Sequence, residues 1–157
     1  MQFNAVIEVP FGKVGIRTGA GCVEEIVYVP ESMRSAAPQD ALAERAARQI
    51  EAYVDDPGFV FDLPLKPVGT AFQQKVWQAI CTIPAGRVLT YGQLAKQIRT
   101  APRALGQACG ANYFPLAIPC HRVVSSSGLG GFANHDADGY FLAIKRWLLR
   151  HEGVMLI

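Results

Sequence analysis

An α+β fold is predicted for this 157-residue chain, and three features of the sequence carry that prediction. Between Ala5 and Val29, β-branched residues alternate with polar ones, the mark of half-buried strands. Around residues 40–54, and again from residue 70 onward, apolar residues recur at helical spacing. Between these regions lies a proline-broken stretch, "DLPLKPVG", that suits a linker. A strand-rich support domain is therefore expected over residues 1–66 and a mainly helical domain over residues 67–157.

The elements follow in order. "PFG" and "TGAG" break residues 5–29 into an antiparallel meander of about three strands. Residues 40–54, "DALAERAARQIEAYV", place Leu42, Ala46, Ile50 and Tyr53 on one helical face, with Asp40 as the cap. Thr70 and Gln73 have the form of a capping box, opening a helix with Phe72, Val76, Ile80 and Ile83 along one side. "PAGRVLT" reads as a turn into a short extended piece, after which Thr90 and Gln93 repeat the box and open "YGQLAKQI". The next helix starts at "APRALGQACG", since proline is tolerated in a first turn, and Gly110 supplies a stop. A last helix runs from about Tyr140 to His151 and ends before Gly153.

Half the residues are hydrophobic and 18% are charged, an ordinary balance for a compact chain. No apolar run approaches the ~20 residues that span a bilayer. The start "MQFNAVIEVPFGK" lacks the basic end and long apolar centre of a signal peptide. A cytoplasmic monomer with no membrane partner is expected. The cysteines, Cys22, Cys81, Cys109 and Cys120, form no C-x-x-C pair, and His135 and His151 build no finger spacing. Free thiols are expected, with Cys22, Cys81 and Cys109 as small buried apolar residues, and no metal or cofactor. His135, Asp136 and Asp138 share a long loop; a metal site there is conceivable, but a solvated insertion is the plainer reading.

Net charge is only +2, yet it is unevenly spread. Residues 1–66 carry six Lys or Arg against ten Asp or Glu, and residues 67–157 carry nine against three. The second half therefore suits a polyanion. It also holds two short helices, 90–98 and 101–110, joined as in a helix-turn-helix. The second is lined with Ala104, Gly106, Ala108 and Gly110 and carries Arg103 in its first turn. Small residues permit close approach to a nucleic acid; they equally permit tight helix packing.

"IPCHRV", residues 118–123, sets a thiol beside an imidazole. A thiol attacks as thiolate, and a free pKa of ~8.5 leaves only a few per cent ionised at neutral pH. An imidazole within reach can take the proton, and a carboxylate behind the ring fixes its tautomer. Glu152, at the end of the last helix, is placed to be that carboxylate.

These residues, read with "NYFPLAIPCHRVVSSSG", "AFQQKVWQAICTIPAGRVLTYGQLA" and "LAIKRWLLRHEG", closely resemble the O6-alkylguanine-DNA alkyltransferases, also called methylated-DNA–protein-cysteine methyltransferases. That family's signature Pro-Cys-His-Arg-Val stands unaltered at Pro119 to Val123. The resemblance covers residues 68–157 and is faint before them. It implies a ribonuclease-H-like N-terminal half and a winged helix-turn-helix C-terminal half. It implies, too, a stoichiometric, irreversible transfer of the alkyl group from O6-alkylguanine, and from O4-alkylthymine, in double-stranded DNA to Cys120 after base flipping. Carried across by position, His121 and Glu152 complete a cysteine–water–histidine–glutamate relay, and Asn112 braces the active-site turn. Tyr91 meets the flipped nucleotide, and Arg103 fills the space that the base left. Thr90, Ala104, Gly106 and Gln107 fall on the DNA-facing helices. The Val123 and Cys120 carbonyls accept from the guanine amino group, and Phe132 and Ala133 complete the base pocket. The chain departs from the family pattern at Tyr113, where proline is usual, in a longer loop before the last helix, and in a shorter turn before Arg103.

Two other readings stay open on sequence alone. A protein of this fold can bind alkylated bases without repairing them, although such members replace the cysteine that is present here. A cysteine hydrolase needs only the thiol and imidazole, but leaves the basic half and Arg103 without a purpose.

Overall fold

A computed structural model describes residues 2–130 and 139–154. The described chain forms two compact units, one of Met1–Pro67 with Tyr113–Ala117, the other of Val68–Asn112 with Ile118–Ile157. The sequence suggests one boundary near residue 66; the return of Tyr113–Ala117 to the first unit is a second crossing that no local pattern marks.

In the first unit β1 (Ala5–Val9), β2 (Gly12–Gly19) and β3 (Cys22–Val29) form an antiparallel meander in the order β1-β2-β3. Ala5 pairs with Ile16 and Ile16 with Ile26, so the apolar residues of all three strands share one face. Helix α1 (Ala41–Asp55) packs across that face. Asp40 caps it, accepting from the Ala43 amide at 2.7 Å. Its buried stripe is Ala43, Ala46, Ala47, Ile50 and Tyr53; Leu42, expected there, is only half-buried because Ala43 takes the inward position. Both sheet edges are covered. Val6 bridges to Ala36, while the β3 edge pairs with the linker at Leu65 and donates from the Ile26 amide to the Tyr113 carbonyl at 2.9 Å.

The second unit begins with α2 (Ala71–Ile80), α3 (Tyr91–Gln97) and α4 (Pro102–Gly110). Both expected capping boxes form: Thr70 with Gln73 and Thr90 with Gln93 each satisfy two otherwise orphan amides. The buried stripe of α2 is Val76, Trp77 and Ile80, and Phe72 is 37% exposed. The expected stripe therefore needs correcting: at 100° per residue its centre lies about a quarter turn from Phe72. Trp77 instead turns inward and donates from its indole to the Ala108 carbonyl at 2.9 Å, tying α2 to α4. Gly110 is the last residue of α4 but is not in the left-handed region; the Ala111 amide closes the helix on Gln107.

Between α2 and α3 lies β4 (Leu89–Thr90), which pairs in parallel with β5 (Val123–Val124): Leu89 with Val123 and Thr90 with Val124. A 3-10 turn, Cys120–Arg122, immediately precedes β5. The last helix, α5 (Tyr140–His151), ends at Glu152, and Gly153 follows with φ +85°. The short β4–β5 ladder thus sets the start of α3 beside the Cys-His-Arg turn. Among the described residues no helix is long and apolar enough to cross a membrane.

Candidate active site

The sequence Pro-Cys-His-Arg makes its own turn. Pro119, at φ −79° and ψ 65°, lets the Cys120 amide donate to the Ile118 carbonyl at 2.8 Å, an inverse γ-turn. The Arg122 amide then donates to Pro119 at 3.0 Å, and the Val123 amide to the Cys120 carbonyl. Asn112 locks the entry: its side-chain amide donates to the Ile118 carbonyl at 2.8 Å, and it also hydrogen-bonds Cys120. Asn112 thus ties the end of α4 to both sides of the Pro119 turn.

Cys120 is buried, 7% exposed, and His121 lies wholly inside the unit. His121 Nε2 stands 2.7 Å from Glu152 Oε2, so the carboxylate accepts from the ring. The other ring nitrogen, Nδ1, is buried and makes no hydrogen bond among the described residues. The tautomer follows: Nε2 carries the proton and Nδ1 holds a lone pair. Burial drives His121 below its ordinary pKa, against the pull of Glu152, and the charges of Arg122 and Lys145 push the same way. Burial likewise raises Cys120 above the usual thiol value, opposed by the Asn112 bond and the Lys145 charge. Both shifts favour the uncharged forms, a thiol and a neutral imidazole.

Lys145 is a residue that the sequence reading missed. It lies on α5, fully buried, and donates to the Val123 carbonyl at 2.9 Å. Its ammonium is 5.9 Å from the centroid of the Tyr91 ring, within cation–π range. Burial lowers its pKa to about 8, partly offset by Cys120 and Cys109. Cys109 itself is buried and pushed up to about 12. A lysine in an otherwise apolar helical stripe reads as a surface residue, and the only signal was its place on the buried face of "YFLAIKRWLL".

Lys145 lies between Tyr91 and Val123, against the ring of one and the carbonyl of the other. Both carbonyls expected to meet the base already have one donor, Lys145 for Val123 and the Val123 amide for Cys120, which leaves each oxygen a second lone pair. Gly130 packs on Tyr91 with φ +74°; an added Cβ would come within 2.9 Å of the ring and 3.0 Å of the Ser125 nitrogen. Gly130→Ala is expected to lose about 1–2 kcal/mol from backbone handedness alone. It also displaces the Tyr91 ring, and urea unfolding together with substrate affinity reads the two effects. Phe132, Ala133, His135, Asp136 and Asp138 lie outside the described residues.

The helix pair presents a separate face. Arg103 and Gln107 are exposed on α4, and Gly106 borders open space. Ala104 is half-buried, whereas Ala108 belongs to the packing side, buried against Trp77. The packing reading holds for Ala108, while Gly106 lies on the open side of the same helix. Thr90 spends its acceptor on the Gln93 amide at 3.0 Å and keeps its own proton to donate. Among the described residues of this unit every exposed charged side chain is basic, Lys75, Arg87, Lys96, Arg99, Arg103 and Arg150 among them, and the one carboxylate, Glu152, is buried. All four thiols are free; Cys81, expected inside, is exposed at the end of α2, and Cys22 is half-exposed.

A family profile described as 6-O-methylguanine DNA methyltransferase, DNA binding domain, matches residues 71–154. The chain is 37% identical over 159 aligned positions to a methylated-DNA–protein-cysteine methyltransferase of Methanosarcina barkeri, covering 96% of this chain and 97% of that one. It is 49% identical over 121 residues to the regulatory protein Ada of Salmonella typhimurium, covering 76% of this chain but only 31% of that longer protein. Among solved structures it is similar to Mycobacterium tuberculosis OGT in complex with DNA, with a TM-score of 0.77, 32% identity, and coverage of 94% of this chain and 91% of that one. Matched over nearly its whole length by one relative and over more than half by the family profile, the chain belongs to the 6-O-methylguanine DNA methyltransferase family.

Proposed function

We propose that this protein repairs double-stranded DNA by moving the alkyl group of O6-alkylguanine, and of O4-alkylthymine by the same chemistry, onto Cys120, once per molecule. The observation that carries this reading is the buried turn in which Cys120 is followed by a histidine already paired with Glu152 at 2.7 Å.

The reaction balances without a cofactor. Cys120 gives its proton to His121 Nδ1, directly or through one water, while Nε2–H stays on Glu152. Sulfur attacks the alkyl carbon, the carbon–O6 bond breaks, and its electron pair leaves with guanine. Guanine leaves as an anion that takes the Tyr91 hydroxyl proton, while the second lone pairs of Val123 and Cys120 hold the amino group. The tyrosinate then regains a proton from solvent as the His121 imidazolium gives up the one it took from sulfur, which restores both side chains. The product thioether has no leaving group to restore it, so the protein is consumed. A buried sulfur reaches a base only if the base leaves the stack, at a few kcal/mol. Arg103 enters the gap, Gln107 and the Thr90 hydroxyl hold the backbone, and Ala104 and Gly106 let α4 come close. The basic surface supplies sequence-independent attraction. The protein acts as a monomer in the cytoplasm under this reading.

The test is intact-protein and peptide mass after incubation with a duplex carrying O6-methylguanine. One methyl group per chain, on the Cys120 peptide, is expected; turnover beyond one equivalent or tight binding without transfer rejects the reading.

A further inference from the structure

Arg122 has no part in the reaction so far, yet all three nitrogens of its guanidinium donate hydrogen bonds. Nε donates to Glu152 Oε1 at 2.9 Å and Nη2 to Oε2 at 3.1 Å, a two-point clamp on one carboxylate. Nη1 donates to the Ile83 carbonyl at 2.6 Å, in the turn after α2. Glu152 Oε2 also receives His121 Nε2. One buried carboxylate therefore serves two partners, and one planar cation joins the end of α2, the Cys-His-Arg turn and the end of α5. We propose that Arg122 is a positioning residue for alkyl transfer, sharing Glu152 with His121 and fixing its angle through Ile83 so that His121 keeps Nδ1 open toward the thiol.

Charge counting gives the reason. The Glu152 side chain is fully buried, and a buried carboxylate needs a counter-charge. With Arg122 in place that charge is supplied, and the neutral group is the imidazole. Without it the nearest source of positive charge is a proton on His121. Both ring nitrogens would then be donors, and the thiol proton would have no acceptor. The charged groups that act on His121 are Glu152 and Lys145 from α5 and Arg122 from its own turn; beside them stands the Cys120 thiol, and from α2 Cys81 lies in the field of Arg122. Arg122 grips both oxygens of that carboxylate, including the Oε2 that receives the ring.

The inference rests on the transfer reading for its consequence, but its structural core can be tested without DNA. In the wild-type chain, nitrogen-15 shifts of His121 should show an Nε2–H neutral ring at pH 7; an imidazolium there overturns the proposal whether or not methyl transfer occurs. Single-turnover transfer across pH then compares wild type, Arg122→Lys and Arg122→Met. The acid limb of the methionine variant should move up by at least about one pH unit, so that at pH values below both limbs its rate falls about tenfold or more relative to wild type and recovers in more alkaline buffer. Arg122→Lys keeps the charge and loses the fork, so its limb should stay near that of wild type while its plateau falls. A folded methionine variant whose limb does not move shows a structural role only and overturns the proposal. Should that variant not fold, the lysine variant decides: a limb displaced despite the retained charge has the same force against it. Absence of transfer by the wild-type chain rejects the proposed function alone and leaves the histidine measurement standing.

Discussion

Cys120→Ser is expected to take up no methyl group from a methylated duplex, while the wild-type chain gains one. The two side chains are nearly isosteric, so the turn set by Pro119, Asn112 and the Cys120 amide survives the change. The chemistry does not, because a neutral imidazole deprotonates an alcohol far less readily than a thiol, and oxygen is the poorer nucleophile toward an alkyl carbon. DNA affinity should be kept, since Arg103 and Gln107 lie on the exposed side of α4. Intact mass and a gel-shift titration read the two properties separately. Methyl uptake by the serine variant, at any residue, would mean that another nucleophile is used and would sink the proposed reaction.

Glu152→Gln should damage both stability and rate. Glutamine keeps the shape of the carboxylate but not its charge, leaving Arg122, with a side chain only 12% exposed, as a cation without its partner. Removing one member of a buried ion pair costs about 3–5 kcal/mol, against a typical total of about 5–15. The denaturant midpoint should fall steeply with an unchanged slope. In the fraction that stays folded, a single amide oxygen must serve both Arg122 and His121 and carries no charge to stabilise an imidazolium, so transfer should slow by about 10²–10⁴-fold, the usual worth of a positioned base. A variant as stable as wild type would show that the clamp on Glu152 contributes little.

Much of this was legible in the sequence where the cause is local. Alternation in residues 5–29 became three paired strands, and Thr70–Gln73 and Thr90–Gln93 became capping boxes because cap and partner lie three residues apart. What failed to show is long-range. Val123–Val124 is a two-residue strand whose partner lies more than thirty positions earlier, and nothing in its own composition names Leu89–Thr90. Trp77 replaced Phe72 in the packing stripe because its indole proton finds Ala108, a contact between helices. Lys145 was overlooked because a cation inside a core is the exception, tolerated here by the Val123 carbonyl and the Tyr91 ring. The Cys-His dipeptide suggested an imidazole that takes the thiol proton, but how readily a group that deep ionises depends on what surrounds it, and burial opposes it.

Cys120, the proposed acceptor, is buried, while Cys81 stands in the open and Cys22 is half-covered. For a reagent that can be spent once, that seclusion is a safeguard. Stray electrophiles diffusing through the cell encounter the outlying thiols first, and the single dose of repair is reserved for a lesion delivered by the double helix itself.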